Sequence, residues 1–479
     1  MPQVVVIGAG QGGLSAAIHA RLKGWDVLVL EAREAEGGKA SGIQDQGFTL
    51  DPGPSIIILP QLYERVFAAA GRKMSDYLVF DRLPIISRVL MEGQGTVDIP
   101  ADWEGCRRLL KEIAPKDAAA FEKLMAKLDQ VAPLVDQTVF ARPYLQPRDM
   151  ADPGLMKFGM KFNPFQNFRK MVDARFSSPL LRAFFYGFPS YGGQTYDAQA
   201  PGAFLIPYYM LREGVFFPRG GVRAIPAAFR KLAGELGVEF RFGARVAEIT
   251  GSGERATGVR LESGETIAAD AVISNWDRLS ALAPRDGAAT LPPSFSYFTI
   301  HWGIRRELSG LDHHTLIIPR DFERGFDELY RQRQFPTRPI VYLNAVRAMD
   351  AEACPPAHDL IFAVVTSPAQ EPGIDWVAKT PEFVRRVRAE MHTAGIDWNP
   401  KDEVMARVQT PALFAARDGN YRGSLYGPDE KHRLWGLFPL ANRDEQWSNL
   451  LFCGGSVQPG AGLPMVTLSG KFAADLLPR

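Results

Sequence analysis

Cysteine is scarce in this sequence, which has three among 479 residues. Cys106, Cys354 and Cys453 lie far apart and form no Cys-x-x-Cys pair. We therefore expect neither a disulfide framework nor a cysteine zinc site, and a reducing cytoplasmic compartment fits this composition. The motifs Gly-x-Ser-x-Gly and His-Glu-x-x-His are also absent, so the sequence carries neither of these hydrolase signatures.

The sequence also lacks an excess of one charge and a long apolar run. Lys and Arg number 55 and Asp and Glu 54, a net charge of +1, which argues against a nucleic-acid partner. No uninterrupted apolar stretch is long enough to cross a bilayer, and the start, MPQVVVIG, has no basic region of a signal peptide. We expect a cytoplasmic protein whose membrane contact, if any, is peripheral.

Glycine is placed distinctively near the start of the chain. The β-branched run 3–8 reads as a buried parallel strand, the glycine-rich stretch 8–13 follows it, and the apolar spacing after that predicts a helix that stops at Gly24. Gly8 permits the tight turn, Gly10 allows the close approach of the phosphate, and Gly13 allows helix and strand to pack closely. This order aims backbone N–H groups and a helix N-terminus at a pyrophosphate.

A carboxylate follows at the end of the next predicted strand, WDVLVLE. Glu31 lies 18 residues after Gly13, a position suited to bonding ribose hydroxyls and unsuited to a 2′-phosphate. The sequence therefore predicts a dinucleotide site in the first 31 residues. This spacing by itself does not separate NAD from FAD.

A second glycine pair with a cation, Gly37-Gly38-Lys39, follows Glu31. One interpretation is a helix cap and a surface lysine. The other is that Gly38 brings backbone close to the diphosphate while Lys39 adds positive charge. The stretch resembles the second glycine-rich motif of the flavin-containing amine oxidase and carotenoid desaturase superfamily, whose cofactor is FAD. That superfamily usually has Arg at the Lys39 position. This chain therefore keeps the positive charge but lacks the two parallel N–H donors of a guanidinium.

Several distant stretches extend the resemblance. QDQGFT with DPGP (residues 44–54), FPRGG (217–221), ADAVISN (269–275) and GGSVQPGAG (454–462) are similar to phytoene desaturase and its bacterial relatives, many of which have His where this chain has Gln458. The resemblance implies that Pro54 and Ser55 approach the isoalloxazine, that Val246 contacts the adenine, and that the C-terminal helix points its N-terminus at the flavin. The cofactor contacts expected in total are Gly8, Gly10, Gly12, Gly13, Glu31, Ala32, Gly38, Lys39, Pro54, Ser55, Val246, Gly455, Pro464, Met465 and Val466.

The implied architecture is α/β: a Rossmann-like FAD-binding domain of the amine-oxidase type, a mixed-sheet substrate domain and a helical, membrane-associating lid. The expected segments are 1–95, 214–281 and 409–479 for the FAD-binding domain, 96–213 for the helical lid, and 282–408 for the substrate sheet. Within the first segment, residues 43–60 are expected to form a short strand, a Pro-Gly turn and a second apolar strand.

Aromatic residues are concentrated in 180–193 and 200–214, where Pro and Gly interrupt the helical pattern. Bulky apolar residues more often form a core than a ligand site, but the interruptions favour a shaped cavity. The predicted substrate contacts are Phe184, Phe185, Tyr186, Tyr191, Phe204 and Tyr208.

Residues 154–172 mix Met and Phe with Lys157, Lys161, Arg169 and Lys170 and contain no acid. Such a segment can lie on an anionic membrane surface, or it can pack in a helical lid with solvated lysines. The resemblance favours the membrane surface.

The resemblance implies that the enzyme oxidises a C30 or C40 polyene, passing hydride or its equivalent from an allylic C–H to flavin N5, with oxygen or a quinone as final acceptor. This chemistry asks little of side chains, and the sequence shows no acid–base constellation. Arg142, Arg148 and Asp149 are the candidates for polar groups near the flavin. His313-His314 is expected to be a solvated turn, and we expect no metal.

Two alternatives remain open. One is oxidation of a carotenoid end group, such as a terminal methyl, because GGSVQPGAGLPMVTLSG looks closer to hydroxycarotenoid desaturases and diapocarotenoid oxidases. The other is a non-catalytic isoprenoid carrier on the same scaffold, which the intact glycine motifs disfavour.

Overall fold

A computed structural model describes residues 1–163, 165–287, 289–432 and 438–478. Its strands, in chain order, are β1 (Gln3–Ile7), β2 (Asp26–Leu30), β3 (Ile43–Asp45), β4 (Phe48–Leu50), β5 (Phe80–Arg82), β6 (Ile85–Met91), β7 (Gly95–Pro100), β8 (Phe216–Pro218), β9 (Glu239–Arg241), β10 (Val246–Ser252), β11 (Arg255–Leu261), β12 (Thr266–Ala268), β13 (Ala271–Ser274), β14 (Ser296–Ile304), β15 (His314–Ile318), β16 (Val341–Ala345), β17 (Asp359–Ser367), β18 (Glu403–Gln409) and β19 (Leu450–Phe452).

The α-helices of the described residues lie between these strands, some singly and some in runs, with six of them in succession between β7 and β8. In chain order they are α1 (Gln11–Leu22), α2 (Pro60–Ala69), α3 (Trp103–Ile113), α4 (Ala118–Gln137), α5 (Pro153–Lys161), α6 (Phe168–Asp173), α7 (Pro179–Tyr186), α8 (Leu205–Arg212), α9 (Ala224–Glu235), α10 (Arg278–Asp286), α11 (Phe322–Tyr330), α12 (Trp376–Thr393), α13 (Pro411–Asp418) and α14 (Leu463–Asp475). None of them, within the described ranges, is long and apolar enough to span a membrane.

A five-stranded parallel sheet takes its strands from the beginning, middle and end of the chain, in the order β19-β13-β1-β2-β9. Successive side chains of each strand point to opposite faces of this sheet. Val4 and Val6 pack in the core that holds α1, α9 and α14. Val5 and Ile7 pack on the opposite side, against the three-stranded sheet β10-β11-β12. Both faces are covered, which is why β1 is almost uniformly apolar.

A seven-stranded mixed sheet has the order β18-β14-β17-β16-β15-β6-β7. Its pairs are antiparallel except for β15 with β6. Alternate residues of β14 again separate two environments. Phe298, Ile300 and Trp302 pack in the core beneath α12, whereas Tyr297 and Thr299 face a large cavity.

Strand β6 ends shortly before residue 95, where the sequence places the end of the first FAD-binding segment, and β7 begins at that residue. They pair with each other, and β6 joins the seven-stranded sheet through β15. The chain thus contributes to this sheet before it enters the helices.

The prediction of a second strand after the Pro-Gly turn is wrong. The hairpin is β3–β4, and its turn lies at Gln46 and Gly47, whose φ values are 47° and 84°. Residues 51–59 form an irregular segment with one isolated bridge, Ile57 to Phe216. Residues 52–56, 58 and 59 line the cavity, so no described strand runs beside most of the segment.

Candidate functional site

The glycine turn after β1 forms one end of the site. Gly8 has φ 93°, a conformation that glycine adopts without strain. Helix α1 then begins at Gln11 with Gly10 as N-cap and no side-chain cap, so its first N–H groups stay available to an anion. A Cβ on Gly13 would lie 2.0 Å from the Gly8 oxygen. Gly13 therefore permits the close packing that the sequence predicts.

Asn275, at the end of β13, lies against the same turn and was missed by the sequence reasoning. A Cβ on Gly10 would lie 2.6 Å from its Oδ1, and one on Gly12 would lie 2.8 Å from its Nδ2. Nδ2 also donates to the Cys453 oxygen at 3.2 Å. Asn275 thus connects the first glycine turn to the C-terminal strand. The available signal was its place at the end of ADAVISN.

Glu31 is buried at the carboxyl end of β2 and is held by two backbone N–H groups. Its Oε2 accepts from Ala9 N at 2.7 Å and its Oε1 from Arg33 N at 3.0 Å. These bonds fix the carboxylate where it lines the cavity. A carboxylate so placed suits a ligand that donates hydroxyl hydrogens.

The second glycine pair packs directly on the first turn. Gly37 N donates to the Ala9 oxygen at 2.9 Å, and Gly37 and Gly38 have φ values of 102° and 56°. Arg33 holds this turn by donating to the Gly38 oxygen at 2.9 Å while it pairs with Asp418.

Lys39 follows this turn and lines the cavity. Its side chain is exposed to the cavity; desolvation by the surrounding protein lowers the pKa of its ammonium below the ordinary 10.5, and the charges of Asp418 and Asp277 oppose that shift. Within the described ranges the ammonium forms no hydrogen bond or close ion pair. An unpaired cation at this place fits an anionic group of a ligand.

The C-terminal helix closes the site. Helix α14 begins after Gly462, whose φ is 103°, and it has no side-chain cap. It packs on α1 so closely that a Cβ on Gly470 would lie 2.2 Å from the Gly12 oxygen. Ser15 Oγ reinforces the contact by donating to the Thr467 oxygen at 2.7 Å. The N-termini of α1 and α14, neither of which has a side-chain cap, therefore both lie at this cavity.

The cavity that these elements surround has a volume of about 1050 Å³ and extends from the glycine turns to the seven-stranded sheet. All the predicted cofactor contacts except Gly13 line it. Gly13 lies behind the turn, in contact with Gly8.

The part of the cavity that lies away from the glycine turns, which we call the far or apolar compartment, is mostly apolar. One row of the seven-stranded sheet crosses five strands in register and lines it: Thr299, Val364, Tyr342, Leu316 and Val89. The opposite wall comes from helices and includes Val135, Phe158, Phe184, Ile206, Tyr209 and Phe326.

The structure separates the predicted substrate contacts into two groups. Phe184 and Tyr191 line the cavity. The other four pack in the helical core behind its wall: Phe185 stacks on Phe176, Phe204 packs on Phe168, Tyr186 bonds Asp173 and Tyr208 donates to Asp129. In α7 the neighbours 184 and 185 point about 100° apart, and sequence cannot say which of them meets the cavity.

The cavity is not lined by Arg142, Arg148 or Asp149. Arg142 bonds Asp152 at 3.0 Å and lies over the Tyr144 ring. Asp149 accepts from the backbone N–H groups of Leu145 and Gln146. The two side chains order the proline-rich connection rather than face the glycine turns.

The expectation of a solvated His313-His314 turn is wrong. Both side chains are buried, and burial lowers the pKa of His313 to about 4 and that of His314 well below 6.5. His314 stands at the start of β15, and its Nδ1 lies 2.6 Å from the Tyr342 hydroxyl. Ser55 Oγ lies 2.8 Å from the same hydroxyl, so this buried pair connects to the segment that lines the cavity. The described residues contain no group of three metal-ligating side chains.

A buried carboxylate, an unpaired lysine and two uncapped helix N-termini on one cavity fit a dinucleotide with a diphosphate. The fold and this site define an FAD-dependent oxidoreductase. The chain belongs to the flavin containing amine oxidoreductase family, whose model matches residues 12–477. Within it, the curated relatives place the chain in the carotenoid desaturase family. FAD is the cofactor, and membership of an enzyme family argues against the carrier alternative.

Three relatives illustrate the similarity. The chain is 33% identical to the zeta-carotene-forming phytoene desaturase of Myxococcus xanthus, over 99% of this chain and 93% of that one. It is 31% identical to the 4,4'-diapolycopene oxygenase of a Methylomonas species, over 99% and 97%. It is 30% identical to the hydroxyneurosporene desaturase of Rubrivivax gelatinosus, over 99% and 93%.

Solved structures share the fold at lower identity. An oxidoreductase from Methanosarcina mazei superposes with a TM-score of 0.65 at 18% identity, covering 98% of both chains. A putrescine oxidase bound to putrescine gives a TM-score of 0.62 at 14% identity, covering 99% of this chain and 98% of that one.

Proposed function

We propose that the protein is a carotenoid desaturase that removes two hydrogens from a long C30 or C40 polyene. The observation that carries the proposal is the continuous cavity, which joins the dinucleotide cradle to an apolar compartment. The names of two relatives, a phytoene desaturase and a hydroxyneurosporene desaturase, support this substrate class. When bound, FAD supplies the acceptor, at flavin N5, for hydride or its equivalent from an allylic C–H.

The residues of the chain have separate tasks in this proposal. Glu31 binds the ribose hydroxyls, Lys39 and the first turn of α1 bind the diphosphate, and the first turn of α14 faces the flavin. Pro54 and Ser55 line the cavity between the two compartments. They place the polyene chain beside the flavin.

The apolar compartment orients the polyene and excludes water. The sheet row through Val364 and Leu316 forms one wall, and Phe184, Phe158 and Phe326 form the other. A rigid, flat polyene held between two apolar walls needs no acid–base group to be positioned. We therefore propose Phe184 and Tyr191 as substrate contacts, together with this row.

We also propose that α5 forms the membrane-facing part of the lid. Met156 and Met160 are 55% and 77% exposed, and Phe165, just beyond the helix, is 62% exposed. Phe158, on the other side of the same helix, lines the cavity. With Lys157 and Lys161 nearby, the helix can lie on an anionic bilayer and admit a polyene from it. Two final electron acceptors, oxygen and a membrane quinone, are compatible with this arrangement.

A second candidate function is oxidation of a carotenoid end group on the same scaffold. The 31% identity to a 4,4'-diapolycopene oxygenase supports it, as do the tyrosine hydroxyls that line the far compartment. This candidate uses the same cofactor and the same cavity.

The decisive experiment is to reconstitute the purified protein with FAD, record its visible spectrum, and incubate it with phytoene, diapophytoene and lycopene. Product masses lower by two hydrogens support desaturation, and a gain of oxygen supports end-group oxidation. A flavin-loaded protein that converts none of these substrates contradicts both. Comparing flavin reoxidation in air with reoxidation by a quinone under argon distinguishes the acceptors.

A further inference from the structure

The apolar compartment contains a cluster of tyrosines. The cluster consists of five of the tyrosines that line the cavity and one of its serines: Tyr191, Tyr297, Tyr330, Tyr342, Tyr426 and Ser190. We refer to these six residues as the tyrosine cluster.

The seven-stranded sheet supplies two members of this cluster on one face. Tyr342 of β16 lies in the row with Val364 and Thr299, and Tyr297 is two residues from Thr299 along β14. The Tyr297 hydroxyl lies 2.9 Å from that of Tyr426. The two phenols therefore present a hydrogen-bonded pair within an apolar wall.

The turn after α7 supplies Tyr191, and its backbone allows Tyr426 to approach. Gly193 has φ 70°, and a Cβ there would lie 2.4 Å from the Tyr426 Cβ. Only glycine allows this approach without displacing Tyr426. The cluster is thus held by close packing as well as by hydrogen bonds.

Tyr342 connects the cluster to the segment before α2. Its hydroxyl lies 2.8 Å from Ser55 Oγ and 2.6 Å from His314 Nδ1. Ser55 and the neighbouring Pro54 line the part of the cavity that we assign to the flavin. The hydroxyls of the cluster consequently lie close to the reacting end of the proposed site.

All five phenols are neutral hydrogen-bond donors at physiological pH, because desolvation raises the pKa of each tyrosine further above its ordinary value of 10.0. The Tyr191 hydroxyl forms no hydrogen bond with any residue in the described ranges, although Tyr191 lines the cavity. A hydrocarbon polyene offers this donor no acceptor. A hydroxyl or carbonyl oxygen does, and the Tyr191 side chain, which is 38% exposed, is accessible to such a partner.

Elsewhere the same cavity is lined by phenylalanine, including Phe184, Phe188, Phe326 and Phe362. Phenylalanine presents the same flat apolar face to a polyene as tyrosine does. Five hydroxyls gathered on one side are therefore not needed for packing on a hydrocarbon.

We infer that the tyrosine cluster binds an oxygen atom, a hydroxyl or a carbonyl, on the end group of the polyene. The inference rests on the proposed function, namely that the cavity takes a polyene, and it names the substrate class more closely. The bound oxygen places the adjacent carbons beside Ser55, so oxidation occurs near the oxygenated end.

The test uses the FAD-loaded protein and three polyenes of equal carbon skeleton: the hydrocarbon, its terminally hydroxylated form and its terminal carbonyl form. Binding is followed by quenching of tryptophan fluorescence. We expect at least one oxygenated form to bind about tenfold more tightly than the hydrocarbon, the effect of one or two hydrogen bonds. The two oxygenated forms together show whether hydroxyl or carbonyl is preferred.

Tyr191→Phe and Tyr297→Phe should remove the preference for the oxygenated form, because each keeps the ring and loses only the hydroxyl. Tyr209→Phe is the matched control: Tyr209 lines the same cavity from α8, outside the cluster, so the preference should persist. Circular dichroism and the flavin spectrum verify that each variant is folded and loaded.

Equal affinity for all three polyenes in the wild type would overturn the inference and leave the proposed function standing. A preference that survives both cluster variants would overturn it as well. Failure to bind any of the polyenes would instead contradict the proposed function itself.

Discussion

The side-chain amide of Gln458 forms two hydrogen bonds with the backbone of a single residue, Tyr144. Its Oε1 accepts from Tyr144 N at 2.8 Å, and its Nε2 donates to the Tyr144 oxygen at 2.7 Å. Gln458 therefore joins the proline-rich connection to the C-terminal loop of the cofactor site. A histidine at this position could not make the same pair of bonds, because a neutral imidazole has its donor and acceptor on opposite sides of the ring.

Gln458→Leu should lower the free energy of unfolding by about 2 to 4 kcal/mol, because it leaves a buried N–H and C=O of Tyr144 without partners. Urea unfolding of the FAD-free protein measures the change. Gln94→Leu, at an exposed glutamine in the β6–β7 turn, is the control and should cost less than about 0.5 kcal/mol. Equal effects of the two substitutions would contradict the role of Gln458.

Gly470→Ala should destabilise the protein and reduce its flavin content, since the new Cβ would lie 2.2 Å from the Gly12 oxygen and push α14 away from α1. The melting temperature and the ratio of flavin to protein absorbance report the two effects. Gly159→Ala provides the comparison, because that glycine lies within α5 with no atom near its Cβ position. It should raise stability by about 0.5 to 1 kcal/mol.

Lys39→Met should weaken FAD binding by about 10- to 100-fold, the value of a charge-assisted bond to a diphosphate. Quenching of FAD fluorescence in titrations of the FAD-free protein measures the affinity. Lys39→Arg should retain most of it, and Lys111→Met, at an exposed position of α3, should not change it.

Stability should fall as the pH is lowered from 7 to 5, because buried histidines stay neutral in the folded state. Burial lowers the pKa of His301 to about 3 and that of His313 to about 4, so below pH 6.5 the unfolded chain takes up protons that the folded chain does not. Each of these groups contributes about 2 kcal/mol to the loss between pH 7 and pH 5.

His301→Phe should reduce this loss by about 2 kcal/mol, since the new ring can keep the stacking of His301 on Phe362 and does not titrate. Urea unfolding at both pH values gives the comparison. Gln94→Leu, at an exposed glutamine that does not titrate, should leave the loss as it is in the wild type. An unchanged loss in His301→Phe would show that His301 is not the group responsible.

The double substitution Met156→Glu, Met160→Glu should reduce binding to vesicles with anionic lipid by about tenfold or more, because it places two charges on the apolar side of α5. Cosedimentation with the vesicles measures binding. Val377→Glu, at a residue of α12 that is 88% exposed, is the matched control. If both variants bind like the wild type, α5 is not the membrane-facing element.

The local parts of the site were predictable from sequence. The strand, glycine turn and helix at residues 3–22, Glu31 at the end of β2 and the start of α14 at Leu463 all lie where the pattern places them. They are predictable because a glycine conformation, a strand period or a helix start depends on a few neighbouring residues.

The less successful predictions concern contacts between distant residues. Residues 51–59 have the composition of a strand but no strand to pair with, and His313-His314 resembles a polar turn but is covered by Tyr342 and Asn344 of β16. Phe184 and Phe185 are indistinguishable in sequence, yet only the first lines the cavity. Each outcome depends on which distant segment covers the residue.

The sequence by itself determined the cofactor class, because the glycine turns, Glu31 and Lys39 are short-range features whose chemistry matches a dinucleotide diphosphate. Only the tertiary structure decided how the far compartment is lined. Tyr191, Tyr297, Tyr342 and Tyr426 are separated by long stretches of chain, and no local period relates them. They meet because strand register aligns β14, β16 and β17 and because Gly193 lets a turn approach Tyr426.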